Sequence, residues 1–267
     1  MKTFEGDKMA YQYILHEVKD RIGIVTLNRP DKMNGLGKDM EEEITDCLQT
    51  WGDGTEVKVV IIKANGKVFC SGHDRTEVLY GTPSSIRTLF QTSYRMMSVM
   101  RQLPMPIIAQ VHGIAMAGGC HLAAASDLVV AAEKGAQFGM TGMKIGYNCS
   151  TPTVAVSRAV GQKKCLEMLF TGDLYSAQDA LNMGLVNRVV PDDKLEEETW
   201  ALAQKISKGS RVILALSKQV YYGQIDMTED QAYHYAKEMM AINALLPDAV
   251  EGFTAGIEKR EPNFPEE

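Results

Sequence analysis

The sequence predicts an α/β fold in which the strands of a parallel sheet are connected by helices. Short segments rich in β-branched residues alternate with segments whose apolar residues recur every three or four positions. Strands joined by helices in this order are typical of parallel sheets. The chain has 267 residues, 45% hydrophobic and 23% charged, which suits a globular protein with a sizeable core and excludes a disordered or fibrous one.

Local patterns predict the individual elements. Residues 11–17 and 22–27 are rich in β-forming residues and flank a turn at 20–23, which predicts a hairpin. The later predicted elements are helices over 36–51, 86–100 and 118–125, strands over 57–62, 106–111, 128–131 and 185–190, and a glycine-containing loop over 67–74. The helix over 86–100 is expected to bury Leu89, Tyr94, Met97 and Met100.

After about residue 150 the pattern is mostly helical, with three or four helices following residue 193. We therefore expect two units. An α/β core that holds the functional site spans residues 1–195, and a helical C-terminal module spans residues 196–267.

Residues 102–126 contain no Asp, Glu, Lys or Arg, and their number alone would suit a membrane span. Pro104, Pro106 and Gly118 would break a lipid-exposed helix, and His121 would be costly in one. We expect a buried strand, a turn and a helix here, and no membrane segment.

Composition also bears on partners and location. The net charge of −6 argues against a nucleic-acid partner. The five cysteines lack C-x-x-C spacing, and the first 21 residues lack the apolar segment of a secretory signal, so we expect reduced thiols in a cytoplasmic protein. Neither a nucleotide-binding glycine motif nor a compact metal-ligand set occurs in the sequence, so no metal is expected.

Two glycine-containing segments, residues 68–74 and 113–121, each follow a predicted buried strand. Glycine allows the backbone to turn sharply or to approach a ligand closely. Two backbone N–H groups aimed at one carbonyl oxygen would form an oxyanion hole, which stabilises an enolate. Taken singly, each segment is better explained as a simple turn between a strand and a helix.

Together and in this order, the two segments resemble the crotonase superfamily, the enoyl-CoA hydratase/isomerase family, over nearly the whole chain. The other pieces that carry the resemblance are Leu27-Asn28-Arg29-Pro30 with Asn34, Ala136-Gln137-Phe138-Gly139, Arg158-Ala159-Val160-Gly161, Phe170-Thr171-Gly172-Asp173, Ser176-Ala177-Gln178-Asp179-Ala180, Gly184-Leu185-Val186, Glu251-Gly252-Phe253 and Glu258-Lys259-Arg260. The resemblance implies a crotonase-like spiral of β-β-α units with a helical C-terminal trimerisation module, in a homotrimer or a dimer of trimers. It also implies an acyl-CoA thioester as ligand, with no cofactor apart from the CoA of the substrate.

The resemblance also suggests site residues. It places the peptide N–H groups of Ser71 and Gly118 in the oxyanion hole, next to Gly72 and Gly119. The candidates for binding the CoA phosphates and adenine are Lys32, Arg75, Phe253 and Lys259, and the resemblance implies that the last two reach a neighbouring subunit.

Typical hydratases of the family use two glutamates, which activate water and protonate the α-carbon. This sequence has His121 at the position expected for the first glutamate and Gly142 at the position expected for the second. The two-glutamate addition of water therefore does not carry over to this chain.

Other candidates remain. Gly72-His73-Asp74 resembles the corresponding loop of the family's methylmalonyl-CoA decarboxylases, where the histidine is an active-site residue, and Tyr147 stands close to where those enzymes have a tyrosine. The helix dipole and partial burial are expected to lower the pKa of His121, which would suit a base or hydrogen-bond donor near pH 7. His121 is otherwise a buried structural histidine, and Cys149 either lines the acyl site or is an inert buried thiol.

The sequence thus predicts an acyl-CoA enzyme, most broadly a hydratase-like lyase, that stabilises a thioester enolate with non-standard acid and base residues. Decarboxylation and thioester hydrolysis are alternatives within the family. Decarboxylation suits a site poor in carboxylates, because a glutamate would repel the carboxylate of the substrate. The alternative of another class is a non-catalytic acyl-CoA-binding scaffold.

Overall fold

The computed structural model describes residues 11–264 as a mixed α/β fold with two sheets. Residues 1–10 and 265–267 lie outside the described part. The predictions made for the first ten residues and for the last three residues of the C-terminal module therefore fall outside it as well. The strands are β1 Ile14–Lys19, β2 Ile22–Leu27, β3 Val59–Ala64, β4 Val68–Cys70, β5 Ile107–Val111, β6 Ile114–Met116, β7 Leu128–Ala132, β8 Gln137–Gly139, β9 Tyr175–Ser176 and β10 Arg188–Val190.

The helices surround these strands and form most of the second half of the chain. They are α1 Lys38–Asp53, α2 Arg75–Tyr80, α3 Pro83–Gln102, α4 Gly118–Ala125, α5 Ser150–Val160, α6 Gln162–Thr171, α7 Ala177–Met183, α8 Leu195–Ser207, α9 Arg211–Gln224, α10 Glu229–Asn243 and α11 Pro247–Glu258.

The larger sheet has the strand order β1-β2-β3-β5-β7-β10, and the smaller has the order β4-β6-β8-β9. Strands β1 and β2 form the predicted antiparallel hairpin, and the other pairs of the larger sheet are parallel. Each of the pairs β3–β4, β5–β6 and β7–β8 puts its first strand in the larger sheet and its second in the smaller one. The chain then returns through helices, so the predicted spiral of β-β-α units is confirmed.

Apolar side chains explain why these elements pack as they do. Helix α1 buries Met40, Ile44 and Leu48, and it packs against α3, which buries Leu89 and Met100. Thr82 caps α3 by accepting a hydrogen bond from the Ser85 N–H, with Pro83 in the first turn. These two helices cover the layer from which the functional loops emerge.

The structure departs from the sequence prediction in two places. The predicted loop over 67–74 contains β4, and the three-residue strands β4, β6 and β8 were not foreseen as a second sheet because they are too short to show periodicity. Tyr94 is 63% exposed, so its predicted place in the core is wrong. It lies on the outer face of α3, and Met96 occupies the core instead.

The charge-free stretch of residues 102–126 runs from the end of α3 through β5 and β6 into α4, as the strand, turn and helix prediction required. Among residues 11–264, no helix is both long enough and apolar enough to cross a membrane.

The C-terminal helices differ in their attachment to the core. Helix α8 buries Leu195, Leu202 and Ala203 within the main hydrophobic cluster. Helices α10 and α11 leave large apolar side chains in solvent, among them Met240, Leu245, Phe253 and Ile257.

Candidate active site

A cavity of about 470 Å³ lies where the loop after β4, the loop after β6 and the segment before α5 meet. It is lined by Ser71, His73, Arg75, Val78, Leu79, Phe90, Ala117, Gly118, Thr141, Gly142, Ile145, Tyr147, Asn148, Cys149, Ser150, Thr151 and Pro152. Arg75 is the one charged side chain in this described lining, and no carboxylate belongs to it. The cavity is therefore largely apolar with a single cation at its wall.

The two glycine loops touch each other beside this cavity. A Cβ atom added at Gly118 would lie 3.1 Å from Gly72 Cα and 3.3 Å from the His73 nitrogen. A Cβ atom at Gly119 would collide with the Cys70 carbonyl oxygen. Glycine at both positions therefore lets the start of α4 approach the loop after β4 at backbone distance.

The Ser71 peptide N–H donates a hydrogen bond to the Met33 carbonyl oxygen, 3.1 Å away. It is therefore not free to act as the predicted oxyanion donor, and that assignment is wrong in this geometry. The N–H groups of His73 and Gly118 are not hydrogen-bonded to any group in residues 11–264. Sequence spacing could not show whether Ser71 or His73 supplies the oxyanion N–H group, because this depends on which peptide of the loop donates its hydrogen bond to the Met33 carbonyl.

Ala117 holds the second donor in place through an unusual backbone conformation. Its φ is 50° and its ψ is −113°, a region that residues with a side chain rarely adopt. The Ala117 N–H donates to the Gly139 carbonyl and its own carbonyl accepts from the His121 N–H, so both sides of the residue are fixed. Strain of this kind accumulates where a backbone group must point in a functional direction.

The His73 side chain forms part of the cavity wall and also reaches the interior behind it. Its Nε2 is hydrogen-bonded to Ser93 Oγ at 3.1 Å and lies 3.7 Å from Glu41 Oε1. The ring packs edge-on against Phe90, with 4.9 Å between ring centroids. Burial lowers the pKa of His73 to about 4, so the imidazole is neutral near pH 7.

His121 is buried in α4 next to His73, and it does not line the cavity. Its Nδ1 is fully buried and has no hydrogen-bond partner among residues 11–264. Burial, and then the proximity of His73, lower the pKa of His121 to about 4. The lowered pKa and the part that burial plays in it agree with the prediction, and the proximity of His73 is a further cause that the sequence did not show.

Glu41 is a residue of this region that sequence reasoning missed. It lies on α1 with no exposed surface, and neither carboxyl oxygen makes a hydrogen bond of good geometry to the part of the chain that the structure describes. Burial raises the pKa of Glu41 to about 9, with Ser93 opposing the rise. The available signal was an acidic residue among the helix positions 41, 44, 45 and 48, which are all buried at helical spacing.

Tyr147 and Cys149 both line the cavity. Burial raises the pKa of the Cys149 thiol and of the half-exposed Tyr147 hydroxyl, so both groups stay protonated near pH 7. Gly142 also lines the cavity, and a Cβ atom there would collide with the Tyr147 carbonyl oxygen. The second glutamate position is therefore closed to any larger side chain.

Other predicted binding residues have structural places away from the cavity. Asp74 caps α2 by accepting from the Thr76 N–H, and it forms an ion pair with Arg29 at 3.0 Å. Lys32 is exposed near the first loop. Phe253 and Lys259 are exposed on and after α11, and neither contributes to the cavity lining of the same chain.

Asn34 holds the first loop to the sheet. Its side-chain nitrogen donates to the carbonyl oxygens of Asn65 and Val68, and its Oδ1 accepts from the Arg29 N–H. This buried network explains why Asn34 and Arg29 belong to the sequence pieces that carry the resemblance.

Residues 11–264 contain no cluster of three His, Cys, Asp or Glu side chains that could hold a metal ion.

Comparison with known proteins agrees with this architecture. A sequence model described as enoyl-CoA hydratase/isomerase matches residues 17–267. The chain is 41% identical over 245 residues to the enoyl-CoA hydratase domain-containing protein 3, mitochondrial, of Rattus norvegicus, covering 91% of this chain and 81% of the relative.

Two solved structures are similar over nearly the full length. An enoyl-CoA hydratase from Mycobacterium smegmatis has a TM-score of 0.92 and 40% identity, covering 95% of this chain and 99% of that one. The human enoyl Coenzyme A hydratase domain-containing protein 3 has a TM-score of 0.92 and 39% identity, covering 95% and 100%.

The names of the relatives contradict the predicted cytoplasmic location. The matching proteins of rat, mouse, zebrafish and human are all named as mitochondrial. The expectation rested on reduced cysteines and on the lack of an apolar secretory segment in the first 21 residues, and those features do not distinguish the cytoplasm from the mitochondrial interior.

Proposed function

Because this chain belongs to the enoyl-CoA hydratase/isomerase family, we propose that it acts on an acyl-CoA thioester by stabilising the thioester enolate. The supporting observation is the pair of unused N–H groups, of His73 and Gly118, that two touching loops present beside the cavity. Two such donors aimed at a thioester oxygen stabilise the negative charge that develops there. In this proposal His73 N–H takes the role that the sequence assigned to Ser71.

The acyl group occupies the apolar part of the cavity, against Phe90, Val78 and Pro152. Arg75 lies at the wall, where its positive charge attracts either a CoA phosphate or a carboxylate on the acyl group. No cofactor is needed beyond the CoA of the substrate, and the apolar side chains on α10 and α11 suit a homotrimer or a dimer of trimers.

The chemistry we propose is that of a lyase with non-standard acid and base groups. A glutamate does not fit at position 142, where the family's second glutamate is expected, because its Cβ would collide with the Tyr147 carbonyl oxygen. At position 121, where the first glutamate is expected, this chain has a histidine. A neutral His73 at the cavity wall is the group placed to exchange a proton with the α-carbon of the enolate.

Decarboxylation of a malonyl-type thioester is the second candidate, and the carboxylate-free lining favours it. Loss of carbon dioxide from such a thioester leaves the same enolate, which then takes up a proton. A substrate carboxylate would meet Arg75 and no competing anion in this cavity.

The test is incubation with a panel of enoyl-, malonyl-type and aromatic acyl-CoA thioesters, followed by mass spectrometry. Oxygen from labelled water in a β-hydroxyacyl product identifies a hydratase, released carbon dioxide a decarboxylase, and free CoA with a free acid a hydrolase. His73→Ala is expected to lower turnover while thioester binding persists by calorimetry. Binding with no consumption of any thioester would contradict the proposed activity and favour a scaffold.

A further inference from the structure

Three polar side chains from three different elements meet behind the cavity wall. Glu41 on α1 and Ser93 on α3 both face His73 Nε2, at 3.7 Å and 3.1 Å. Ser93 is 1% exposed and Glu41 is fully buried. The Ser93 hydroxyl is hydrogen-bonded to His73, and it lies close enough to the Glu41 carboxyl to oppose the rise of its pKa, so the three groups lie together between the interior and the cavity.

The surroundings of Glu41 favour a protonated carboxyl. The nearby charged groups are Glu42 on the same helix and Glu77 on α2, and both are acidic. Cys70 at the end of β4 is a buried thiol near Glu41, and His121 on α4 interacts electrostatically with His73. A buried carboxylate among such neighbours would be very costly, whereas a carboxylic acid can donate one hydrogen bond.

A merely structural role does not account for this residue. Glu41 occupies a helix position whose neighbours in the stripe, Ile44 and Leu48, are apolar core residues. A leucine or methionine there would fill space without leaving two unsatisfied oxygens. The energetic cost of a buried acid is understandable when the acid acts on the adjacent histidine.

We propose that Glu41, acting through the Ser93 hydroxyl, is the positioning residue that fixes the tautomer of His73 and replenishes the proton that His73 delivers to the substrate. This inference rests on the proposed enolate chemistry for its catalytic part. The Glu41 carboxyl makes no hydrogen bond of good geometry within residues 11–264, so this role requires its O–H to turn towards Ser93 Oγ. The Ser93 hydroxyl then donates to His73 Nε2, and the His73 proton is on Nδ1.

The transfer balances as follows. The α-carbon of the enolate forms a C–H bond with the Nδ1 proton while Nε2 takes the Ser93 proton and Ser93 takes the Glu41 proton. The products are a thioester with a protonated α-carbon, a neutral His73 protonated on Nε2, and a Glu41 carboxylate. After the product leaves, solvent in the cavity protonates Nδ1, Nε2 returns its proton to Ser93, and Ser93 returns one to the buried Glu41 carboxylate, which restores the resting tautomer.

The first experiment needs no substrate. In uniformly ¹⁵N-labelled protein, the ring nitrogen signals of His73 are followed by NMR from pH 6 to pH 11, in wild type, Glu41→Gln and Glu42→Gln. We expect a shift at His73 centred near pH 9 in wild type and in the Glu42→Gln control, and its loss in Glu41→Gln. An identical shift in Glu41→Gln, or none in wild type, would overturn the inference.

The second experiment measures kcat and KM against pH on whichever thioester the wild type consumes. Glu41→Gln keeps the shape of the side chain but has no proton to pass on, so we expect kcat to fall by about 10²–10⁴-fold with KM unchanged. The decline of the wild-type rate above pH 9 should disappear in this variant, and Glu41→Asp should recover part of the rate.

Ser93→Ala interrupts the proposed proton relay independently, which keeps the inference testable if Glu41→Gln fails to fold. It should uncouple His73 from the titration near pH 9 and lower kcat in the same way. Unchanged kcat in folded Glu41→Gln, or in Ser93→Ala, overturns the relay. A wild type inactive on every thioester refutes the proposed function, and the NMR result then decides the coupling of Glu41 to His73 alone.

Discussion

The Lys218 ammonium group on α9 lies 2.7 Å from the Asp127 carboxylate, with only 6% and 16% of the two side chains exposed. Lys218 also donates to the carbonyl oxygens of Met100 and Met105. Tyr222, one turn further along α9, donates to the other oxygen of Asp127. This buried network attaches the first of the C-terminal helices beyond α8 to the strand layer that carries the active-site loops.

Breaking this pair is expected to destabilise the whole chain. Lys218→Met leaves the Asp127 carboxylate buried without its cation, and we expect the free energy of unfolding to fall by about 3–5 kcal/mol. Lys237→Met, at an exposed position on α10, should change it by less than about 0.5 kcal/mol. Urea denaturation of the three proteins measures this, and equal effects of the two substitutions would contradict the assignment.

The glycines of the α4 turn should separate fold from function. Gly118→Ala puts a methyl group against Gly72 and the His73 nitrogen, and we expect kcat to fall by about 10²-fold as the donors shift, with the fold retained. Gly256→Ala is the control, because no atom of the described residues beyond its own helix turn lies within 4 Å of its added Cβ.

Gly119→Ala should have the different effect of loss of folded protein, since its Cβ collides with the Cys70 backbone oxygen. Circular dichroism and kcat together distinguish the three variants. A fully active Gly118→Ala would count against an oxyanion hole at this turn.

Restoring the second missing glutamate should not restore a hydratase. In Gly142→Glu the new side chain collides with the Tyr147 carbonyl and crowds Cys149, so we expect lower thermal stability and no gain in water addition. His121→Glu is the comparison variant, because residue 121 already accommodates a large side chain. Higher hydration activity in Gly142→Glu would show that the segment before α5 can rearrange.

Ionisation of the buried Glu41 should lower the stability of the folded protein as pH rises. Its pKa is raised from 4.5 to about 9 in the folded state, so its favourable contribution is complete below pH 4.5 and is lost as pH rises towards 9. The loss amounts to about 1.4 kcal/mol per pH unit where the folded state alone keeps the proton. Glu41→Gln should therefore gain stability over wild type at pH 8 but not at pH 4.5, as measured by chemical denaturation.

Protonation of the two buried histidines should lower the stability of the folded protein as pH falls. Burial lowers the pKa of both His73 and His121 from 6.5 to about 4, so their contribution is complete above pH 6.5 and is lost as pH falls towards 4. His121→Gln should show a shallower loss of stability across this interval than wild type. His234→Gln, an exposed substitution on α10, should follow wild type, and a matching slope in His121→Gln would refute the assignment.

Much of the fold was accessible from the sequence because its signals are local. The hairpin, the helix beginning at Gly118, and the strand over residues 107–111 follow from β-branched runs, glycine positions and helical spacing. The second sheet was not accessible from local patterns, because three-residue strands such as β4 and β6 gain their pairing only from distant partners.

By itself the sequence determined the α/β class, the two glycine loops and the absence of glutamate at positions 121 and 142. Only the tertiary structure decided that the Ser71 N–H bonds to the Met33 carbonyl and that the His73 N–H has no hydrogen-bond partner in the described residues, because backbone pairing across the loop is not encoded in residue type. It also decided that Glu41 lies behind His73. A helical stripe shows which side of α1 is buried, but only the packing of α1 against α3 shows what the buried acid faces.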